Sequence, residues 1–391
     1  MVIRGKANIA VTGALNAGGG ADSTDSDQAG DLMFGAAKSN LGGDLDLVGK
    51  TLDVRSSGGS ISVSGDATAE TDARFQTQTT TRGPVTVANV TAGRDVLLDG
   101  GAGIGAVGAA STGILTATHG DVAVRARDGR TISLAGASAG DDVVVRGTAQ
   151  VSLTGPVTAG GDADSQGLGD ALAGAEGAVI LQGKSFDLAG GDIDIKGAGV
   201  TATGTLTASG AQSDVRVQAP GAISLGDAGA GRDVLVDSGG SVATGMLSAG
   251  RDVGVRSTGA SSGVSVGGAS AGDDVVIRAN GDITVTGALN AGGGADSSDS
   301  DQAGDLMFAA AKSNLGGDLD LAGKTVDLRS AGGSIKVAGA VTADTDARFQ
   351  TQAGAGGSVT VAAVTAGRDI LRDGGIGAGG IGARASGTLT D

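Results

Sequence analysis

Alternating apolar and polar residues form a short pattern that recurs along nearly the whole chain. One copy, residues 271–290, reads AGDDVVIRANGDITVTGALN: an Ala-Gly-x-Asp step, a Val-x-Ile-Arg run, a turn, and a Gly-Asp-Ile-x-Val-x-Gly run. Further copies begin at Gly93, Gly120, Gly140, Gly231, Gly250 and Gly367. Their spacing of about 20 residues is in the range of repeats that stack into a solenoid.

Each copy contains two runs with a period of two, which predicts β-strands, because successive strand side chains point to opposite faces. The side chains predicted to be buried are Val143, Val145, Val234, Val236, Val276, Ile283 and Val285. Those predicted to be more exposed are Val144, Leu235 and Thr284. Glycine pairs such as Gly239-Gly240 are predicted to supply the backbone freedom that tight corners need.

Short strands that repeat in the same order predict parallel sheets, and therefore an all-β parallel β-helix with coils of about 20 residues. No run long enough for a helix has a helical period with caps, which argues against a βαβ fold. With five Phe and no Trp or Tyr, the core is expected to consist of Val, Ile, Leu and Ala. Because a solenoid is one quasi-one-dimensional body, residues 1–391 are predicted to form a single β-helix.

A larger repeat lies over the short one. Residues 2–117 align without a gap to residues 276–391, at an offset of 276 − 2 = 274, which indicates a recent block duplication. Longer segments at 18–38, 160–186 and 292–312 interrupt the short repeat and are predicted to be loops or an enlarged coil. The chain starts and stops inside a repeat, so we expect it to be a fragment of a longer repetitive protein.

The acidic loop within the first of these segments is a candidate calcium site. Three aspartates lie close together there, and the duplication repeats them; the six residues are Asp22, Asp25, Asp27, Asp296, Asp299 and Asp301. Closely spaced oxygen ligands suit Ca²⁺, although the EF-hand spacing and its terminal Glu are absent. The alternative is a solvated loop tip whose charges only aid solubility.

Two charged columns accompany the repeat. Asp95, Asp142, Asp233, Asp252, Asp274 and Asp369 occupy one position, and Arg55, Arg146, Arg256, Arg278 and Arg329 occupy another. One interpretation is an ordered charged surface for a ligand. The simpler interpretation is that Asp starts each strand at a turn and Arg ends it on the solvent side. Stacked like charges repel, so neighbouring columns should offset them, and the mixed Arg and Asp residues at 94, 141, 232, 251 and 273 would do so.

Other chemistry has little support in the sequence. His119 is the single histidine and there is no cysteine, which nearly excludes a zinc site of the usual kind; His119 is expected to be a turn residue. The net charge of −16 disfavours nucleic-acid binding, since no basic stripe offsets phosphate repulsion. No apolar run approaches the length of a membrane span, so membrane insertion is not expected.

The repeats AGRDVLVDSGGSVATGMLSAGRDVGVRS (230–257) and AGDDVVIRANGDITVTGALNAGG (271–293) resemble those of filamentous haemagglutinin-like bacterial adhesins of the two-partner secretion family. The resemblance implies a right-handed parallel β-helix that forms the shaft of a secreted or outer-membrane-associated filament. It implies an outer-membrane secretion partner and contact with host or neighbouring cells through regions outside this chain. It carries no catalytic residue and no cofactor.

Two alternatives to a structural shaft remain open. The corner loops could form a binding module for Ca²⁺ or a polysaccharide. A carbohydrate-active β-helix enzyme would need clustered carboxylates in a groove and usually aromatic platforms, neither of which is recognisable here.

Overall fold

The computed structural model describes residues 1–18, 50–77, 83–101, 107–127, 129–160, 193–293, 324–351, 357–374, 383–385 and 387–390. Within these ranges the regular structure is all strand, with turns and bends between the strands and no helix. The chain divides into two compact units, unit 1 (Met1–Ser213) and unit 2 (Asp214–Asp391). In each unit, parallel strands stack as a β-solenoid, which confirms the predicted fold class.

Each coil of unit 1 has one strand of four or five residues, here called its long strand, followed by two other strands or, at β11 and β13, by a single strand that spans the place of both. Its strands are β1 (Val2–Gly5), β2 (Ile9–Val11), β3 (Leu15–Ala17), β4 (Leu52–Ser56), β5 (Ile61–Val63), β6 (Ala67–Ala69), β7 (Ala73–Thr77), β8 (Val85–Val87), β9 (Val90–Ala92), β10 (Val96–Gly100), β11 (Val107–Ala117), β12 (Val122–Ala126), β13 (Thr131–Ala139), β14 (Val143–Gly147), β15 (Gln150–Leu153), β16 (Val157–Ala159), β17 (Ile193–Lys196), β18 (Gly199–Ala202) and β19 (Leu206–Ala208). The long strands β1, β4, β7, β10, β12, β14 and β17 pair in parallel in this order and form the long-strand sheet of the unit.

Unit 2 follows the same plan. Its strands are β20 (Val215–Ala219), β21 (Ile223–Leu225), β22 (Ala228–Ala230), β23 (Val234–Ser238), β24 (Val242–Ala249), β25 (Val253–Ser257), β26 (Val264–Ala271), β27 (Val275–Ala279), β28 (Ile283–Val285), β29 (Leu289–Ala291), β30 (Val326–Ser330), β31 (Ile335–Val337), β32 (Val341–Ala343), β33 (Ala347–Thr351), β34 (Val359–Val361), β35 (Val364–Ala366), β36 (Ile370–Asp373), β37 (Ala383–Ala385) and β38 (Leu389–Thr390). Its long-strand sheet has the order β20, β23, β25, β27, β30, β33, β36.

Two rows of short strands complete each coil. In unit 1, β2, β5, β8, β11, β13, β15 and β18 form one row, and β3, β6, β9, β11, β13, β16 and β19 form the other. Because β11 and β13 are long enough to belong to both rows, they join the two rows of that unit. In unit 2, β24 and β26 have the same role.

The coil length varies around the predicted value of about 20 residues. Paired residues are 19 positions apart at Val215–Val234 and 26 apart at Val96–Val122. Three steps are much longer: Val2 pairs with Asp53, Val143 with Ile193, and Val275 with Val326. The long segments predicted at 18–38, 160–186 and 292–312 fall within these steps, and nearly all of their residues lie outside the described ranges.

The predicted core is largely confirmed. Val143, Val145, Val234, Val236, Val276, Ile283 and Val285 are all buried, and Thr284 is half-buried. Two predictions are wrong, since Val144 is only 6% exposed and Leu235 only 9%. Leu235 pairs with Gly254, and Gly254 pairs with Val276. Val276 therefore lies in the same column as Leu235 and not in the inward column to which it was assigned. Several strands of these sheets, among them β4, β10, β12 and β27, are buried on both faces, so alternation there does not separate core from solvent.

The corner glycines are needed for a reason other than the one predicted. Among the described glycines, only Gly129, Gly292 and Gly293 have positive φ angles, so Gly239 and Gly240 do not provide left-handed backbone. Instead, a Cβ on Gly239 would lie 2.2 Å from the carbonyl oxygen of Pro220 in the preceding coil. Successive coils approach too closely at these corners for any side chain.

We expect Gly250→Ala to lower the free energy of unfolding by about 1–3 kcal/mol, because the added methyl would lie 2.0 Å from the Gly231 carbonyl oxygen. Gly13→Ala is the matched control, since a Cβ there meets no atom within 4 Å. Chemical denaturation of the two variants measures the difference. Equal stabilities would show that the stacking of coils is not the constraint on these glycines.

Candidate functional site

Charged side chains concentrate at two places on the long-strand sheets. The first is the turn residue that immediately precedes a long strand, here called the strand-start row. Its aspartates are Asp72, Asp95, Asp121 and Asp142 in unit 1, and Asp214, Asp233, Asp252, Asp274, Asp346 and Asp369 in unit 2. The second is the outer face of the sheet, where the alternate residues of each long strand point away from the core. From the sequence, the aspartates of the first place were predicted to lie in turns and the arginines of the second to face solvent.

The strand-start row forms a ladder of hydrogen bonds between coils. Asp121 N donates to Asp95 Oδ1 at 3.0 Å, and Asp142 N donates to Asp121 Oδ1 at 3.1 Å. In unit 2, Asp233 N, Asp252 N and Asp274 N donate to the aspartate one coil earlier at 3.1, 3.2 and 3.1 Å. Each of these carboxylates therefore accepts a hydrogen bond from a backbone N–H that would otherwise be buried without a partner. The prediction that Asp starts the strand at a turn is confirmed.

An arginine from the next coil neutralises the row aspartate in several coils. Arg94 Nε and Nη2 donate to Asp72 at 2.8 and 2.5 Å, and Arg232 makes the same pair of bonds to Asp214 at 2.8 and 2.6 Å. Arg368 binds Asp346 in the same way. This bidentate geometry is the strong form of an ion pair. It confirms the predicted offset of the repulsion at positions 94, 232 and 251, but not at positions 141 and 273, where the residue is an aspartate.

The ion pairs change the acidity of Arg251 and of Asp346. The hydrogen bond to Asp233 raises the pKa of Arg251. Burial pushes the pKa of Asp346 upward, but the bonds and charges of Arg368 and Arg348 more than offset it and leave the pKa lowered. Both groups are therefore held in their charged forms.

In two coils, an aspartate takes the place of this arginine. Asp141 and Asp273 lie where Arg94, Arg232 and Arg251 lie in the other coils. In unit 1, one carboxylate oxygen from each of Asp121, Asp141 and Asp142 lies within 4.8 Å of the others, and all three residues are buried. Such a group of hard oxygen atoms has the chemistry to hold a proton or a divalent cation.

The sequence analysis did not predict this three-aspartate group. Asp142 and the mixed position 141 were identified separately, but Asp121 lies 21 residues from Asp142 and reaches it only when the two coils stack. The signal that could have found the group is the Gly-Asp-Asp step, where other copies have Gly-Arg-Asp.

The second charged region is a set of ion clusters on the outer face of the long-strand sheets. In unit 1, Asp53 accepts from Arg55 Nε at 2.8 Å and from Arg74 Nε at 3.0 Å, and it also pairs with Arg4. Asp53 and Arg74 are 0% and 1% exposed. Burial raises the pKa of Asp53, while Arg55 and Arg4 act in the opposite direction.

Related clusters recur along both sheets. Asp99 accepts from Arg125 Nε at 2.9 Å and from Arg127 Nη2 at 2.6 Å. Burial raises the pKa of Asp99, although the charge of Arg125 acts in the opposite direction. In unit 2, Asp327 pairs with Arg278 at 2.5 Å and with Arg329 at 3.3 Å. Asp327 is the equivalent of Asp53 at the offset of 274, so the pairs of Asp53 with Arg4 and Arg55 recur in the duplicate, whereas Arg348, the equivalent of Arg74, bonds to Asp346.

The arginine column does not end the strands on the solvent side as predicted. Arg55, Arg146, Arg278 and Arg329 are buried, and Arg256 is half-buried. Burial lowers the pKa of Arg146 to about 9, so its guanidinium still carries a proton at neutral pH, where it pairs with Asp194. The prediction failed because an exposed column was inferred from alternation alone, and this sheet face is covered.

The remaining candidates have separate outcomes. The predicted calcium ligands Asp22, Asp25, Asp27, Asp296, Asp299 and Asp301 all lie outside the described residues. His119 lies exposed in a bend, where its backbone N–H donates to the Gly93 carbonyl oxygen at 3.1 Å, as expected of a turn residue.

In the part of the chain that the structure describes, no helix combines the length and apolar character that a membrane crossing requires. Comparison with known proteins gives no match to a family model, to a curated protein or to a solved structure.

Proposed function

We propose that this chain is a structural shaft segment of a large bacterial filament, secreted or attached to the cell surface, of the filamentous haemagglutinin-like adhesin type. It has no catalytic role and needs no cofactor. Contact with a host or neighbouring cell, and with an outer-membrane secretion partner, is made by parts of the parent protein outside this chain.

The observation that carries this proposal is the use of charge between coils. Charged side chains are the groups that would be expected to face a ligand, yet Asp53, Asp72, Asp99 and Asp214 are buried and bind arginines of neighbouring coils. Such groups contribute to stacking and are out of reach of a substrate. A protein whose polar groups mainly connect one coil to the next is suited to bear load along its length.

The titration properties of the buried acids also favour a structural role. Asp53, Asp99 and Asp252 have raised pKa values, which in an open cleft would suggest a general acid. These three residues are at most 5% exposed, so no substrate can approach them. Ion pairs within a structure perturb pKa values in the same way as active sites do.

A shaft is tested by changing its length. Each coil of a parallel solenoid adds about 4.8 Å, so appending a second copy of residues 118–391 should lengthen the particle in proportion to the added coils. Negative-stain electron microscopy and small-angle scattering measure this. A maximum dimension that grows only with the cube root of the mass, as for a globule, would contradict the proposal.

A binding assay separates the shaft from a binding module. The labelled chain should show no saturable binding to polysaccharide arrays or to cells, with or without Ca²⁺. Saturable binding lost in the sextuple Asp→Asn variant at positions 22, 25, 27, 296, 299 and 301 would instead assign binding to the acidic loops.

A further inference from the structure

The turn before β27 differs from the two turns before it in unit 2. Arg232 and Arg251 precede the row aspartates of β23 and β25, and each donates two hydrogen bonds to the row aspartate of the coil before it. Asp273 occupies the same position before β27. The residue at the position from which the next coil would reach Asp252 is therefore an aspartate, whereas Asp214 and Asp233 are reached from that position by an arginine.

The surroundings of Asp252 are buried and rich in negative charge. Asp252, Asp273 and Asp274 are 5%, 0% and 2% exposed. Asp252 Oδ1 accepts from Asp274 N at 3.1 Å, and its Oδ2 lies 3.3 Å from Arg251 Nε. The charged groups around it are Arg232 and Asp233 before β23, Arg251 on its own turn, and Asp273 and Asp274 before β27.

Arg251, the cation on the turn before β25, already binds Asp233 of the preceding coil. Arg251 donates through Nε at 2.8 Å and through Nη2 to Asp233, so only its Nε edge remains near Asp252. Arg251 thus serves two carboxylates, and Asp273 adds the charge of a third. Protonation of one carboxyl relieves the repulsion between charges of one sign in a buried place.

We propose that the stability of the junction between β25 and β27 is linked to proton uptake. Asp252 takes up a proton as the pH falls from alkaline to mildly acidic values, and the stacking of these two coils becomes stronger. This property goes beyond a shaft role and does not depend on it.

The direction of the effect follows from the acidity of Asp252. Burial first, and then the charges of Asp233 and Asp273, raise its pKa to about 7 from 3.8. Between pH 3.8 and about 7, the Asp252 carboxyl is therefore protonated in the folded chain and ionised in the unfolded chain. A raised pKa contributes stability that is fully present below the unfolded value and is lost as the pH rises through about 7.

Hydrogen exchange on the whole chain tests the proposal locally. Protection factors of amides in Val253–Ser257 and Val275–Ala279 should be on the order of tenfold higher near pH 5.5 than near pH 8.5, after correction for intrinsic exchange. Amides of Val215–Ala219 should change little, because Arg232 neutralises Asp214 there. Both buffers contain a chelator.

Asp273→Arg is the decisive variant, because it restores the arginine found in the other coils. It should abolish the pH difference at β25 and β27 and retain high protection in both buffers. If this variant fails to fold, Asp273→Asn serves in its place and should reduce the difference, since it removes one of the repelling charges.

Three results would overturn the proposal. The first is protection at β25 and β27 that does not depend on pH. The second is an unchanged pH difference in both Asp273 variants. The third is a saturable gain in protection near pH 8.5 when Ca²⁺ replaces the chelator, lost in Asp273→Asn, which would show that the carboxylates hold a cation and not a proton.

Discussion

Val145→Asp is expected to destabilise unit 1 by about 4 kcal/mol, which corresponds to a fall in Tm on the order of 10 °C. Val145 is fully buried in the inward column of the long-strand sheet and pairs with Val124 and Ile195 in the adjacent coils. No described cation lies on this inner column of neighbouring strands, so the new carboxyl must lose its hydration without gaining an ion pair. Thermal melting followed by circular dichroism measures the loss.

Two controls separate burial from the chemistry of the substitution. Ser133→Asp places the same carboxylate at an exposed position of β13 and should change stability by no more than about 0.5 kcal/mol. Val144→Asp should fall between the two, because Val144 is buried but shares the outer face of β14 with a cation, Arg146. A melting curve for Val145→Asp that matches the Ser133→Asp curve would contradict the inward register.

Asp53→Ala is expected to cost about 3–5 kcal/mol, because it leaves buried guanidiniums without their shared carboxylate. Asp53 binds Arg55 and Arg74 at 2.8 and 3.0 Å and pairs with Arg4, and all three arginine side chains are at most 4% exposed. Removing one carboxylate thus affects three cations in three adjacent coils. Urea denaturation of the variant and the parent chain measures the difference.

The exposed Lys50–Glu70 pair supplies the comparison. Its side chains are 27% and 47% exposed, so Glu70→Ala should cost no more than about 1 kcal/mol. If Asp53→Ala were as mild as Glu70→Ala, the outer face of the sheet would be accessible to water in solution. The ion clusters would then be ordinary surface pairs.

The alternation of Val143 and Val145 was sufficient to predict strands, parallel stacking and an inward column, because a period of two with β-branched residues has few other solutions. It could not predict that Val144 and Leu235 are buried. Local alternation reports two faces of a strand but not whether the second face is covered. The available signal was the apolar column Leu97, Ala123 and Val144, visible only after the coils are aligned.

The charged groups show a second limit of prediction from the sequence. Asp53 meets Arg4 from the preceding coil and Arg74 from the following coil, and the coil length that brings such residues together varies along the chain. The short repeat places the columns but does not fix which charges become neighbours. The arginine that neutralises a row aspartate comes from the next coil, so its partner is not visible within one copy of the repeat.

The aspartate ladder also has a direction. Row carboxylates such as Asp95 and Asp121 accept from the N–H of the coil that follows in sequence, and arginines such as Arg94 reach back to the coil before. Each row aspartate therefore bonds in both directions, but through different groups: its carboxylate accepts from the coil that follows, whereas its backbone carbonyl oxygen accepts from the coil before, as Asp121 O does from Val96 N at 2.8 Å. Replacing such an aspartate with alanine would remove the bond to the coil that follows and leave the bond to the coil before in place.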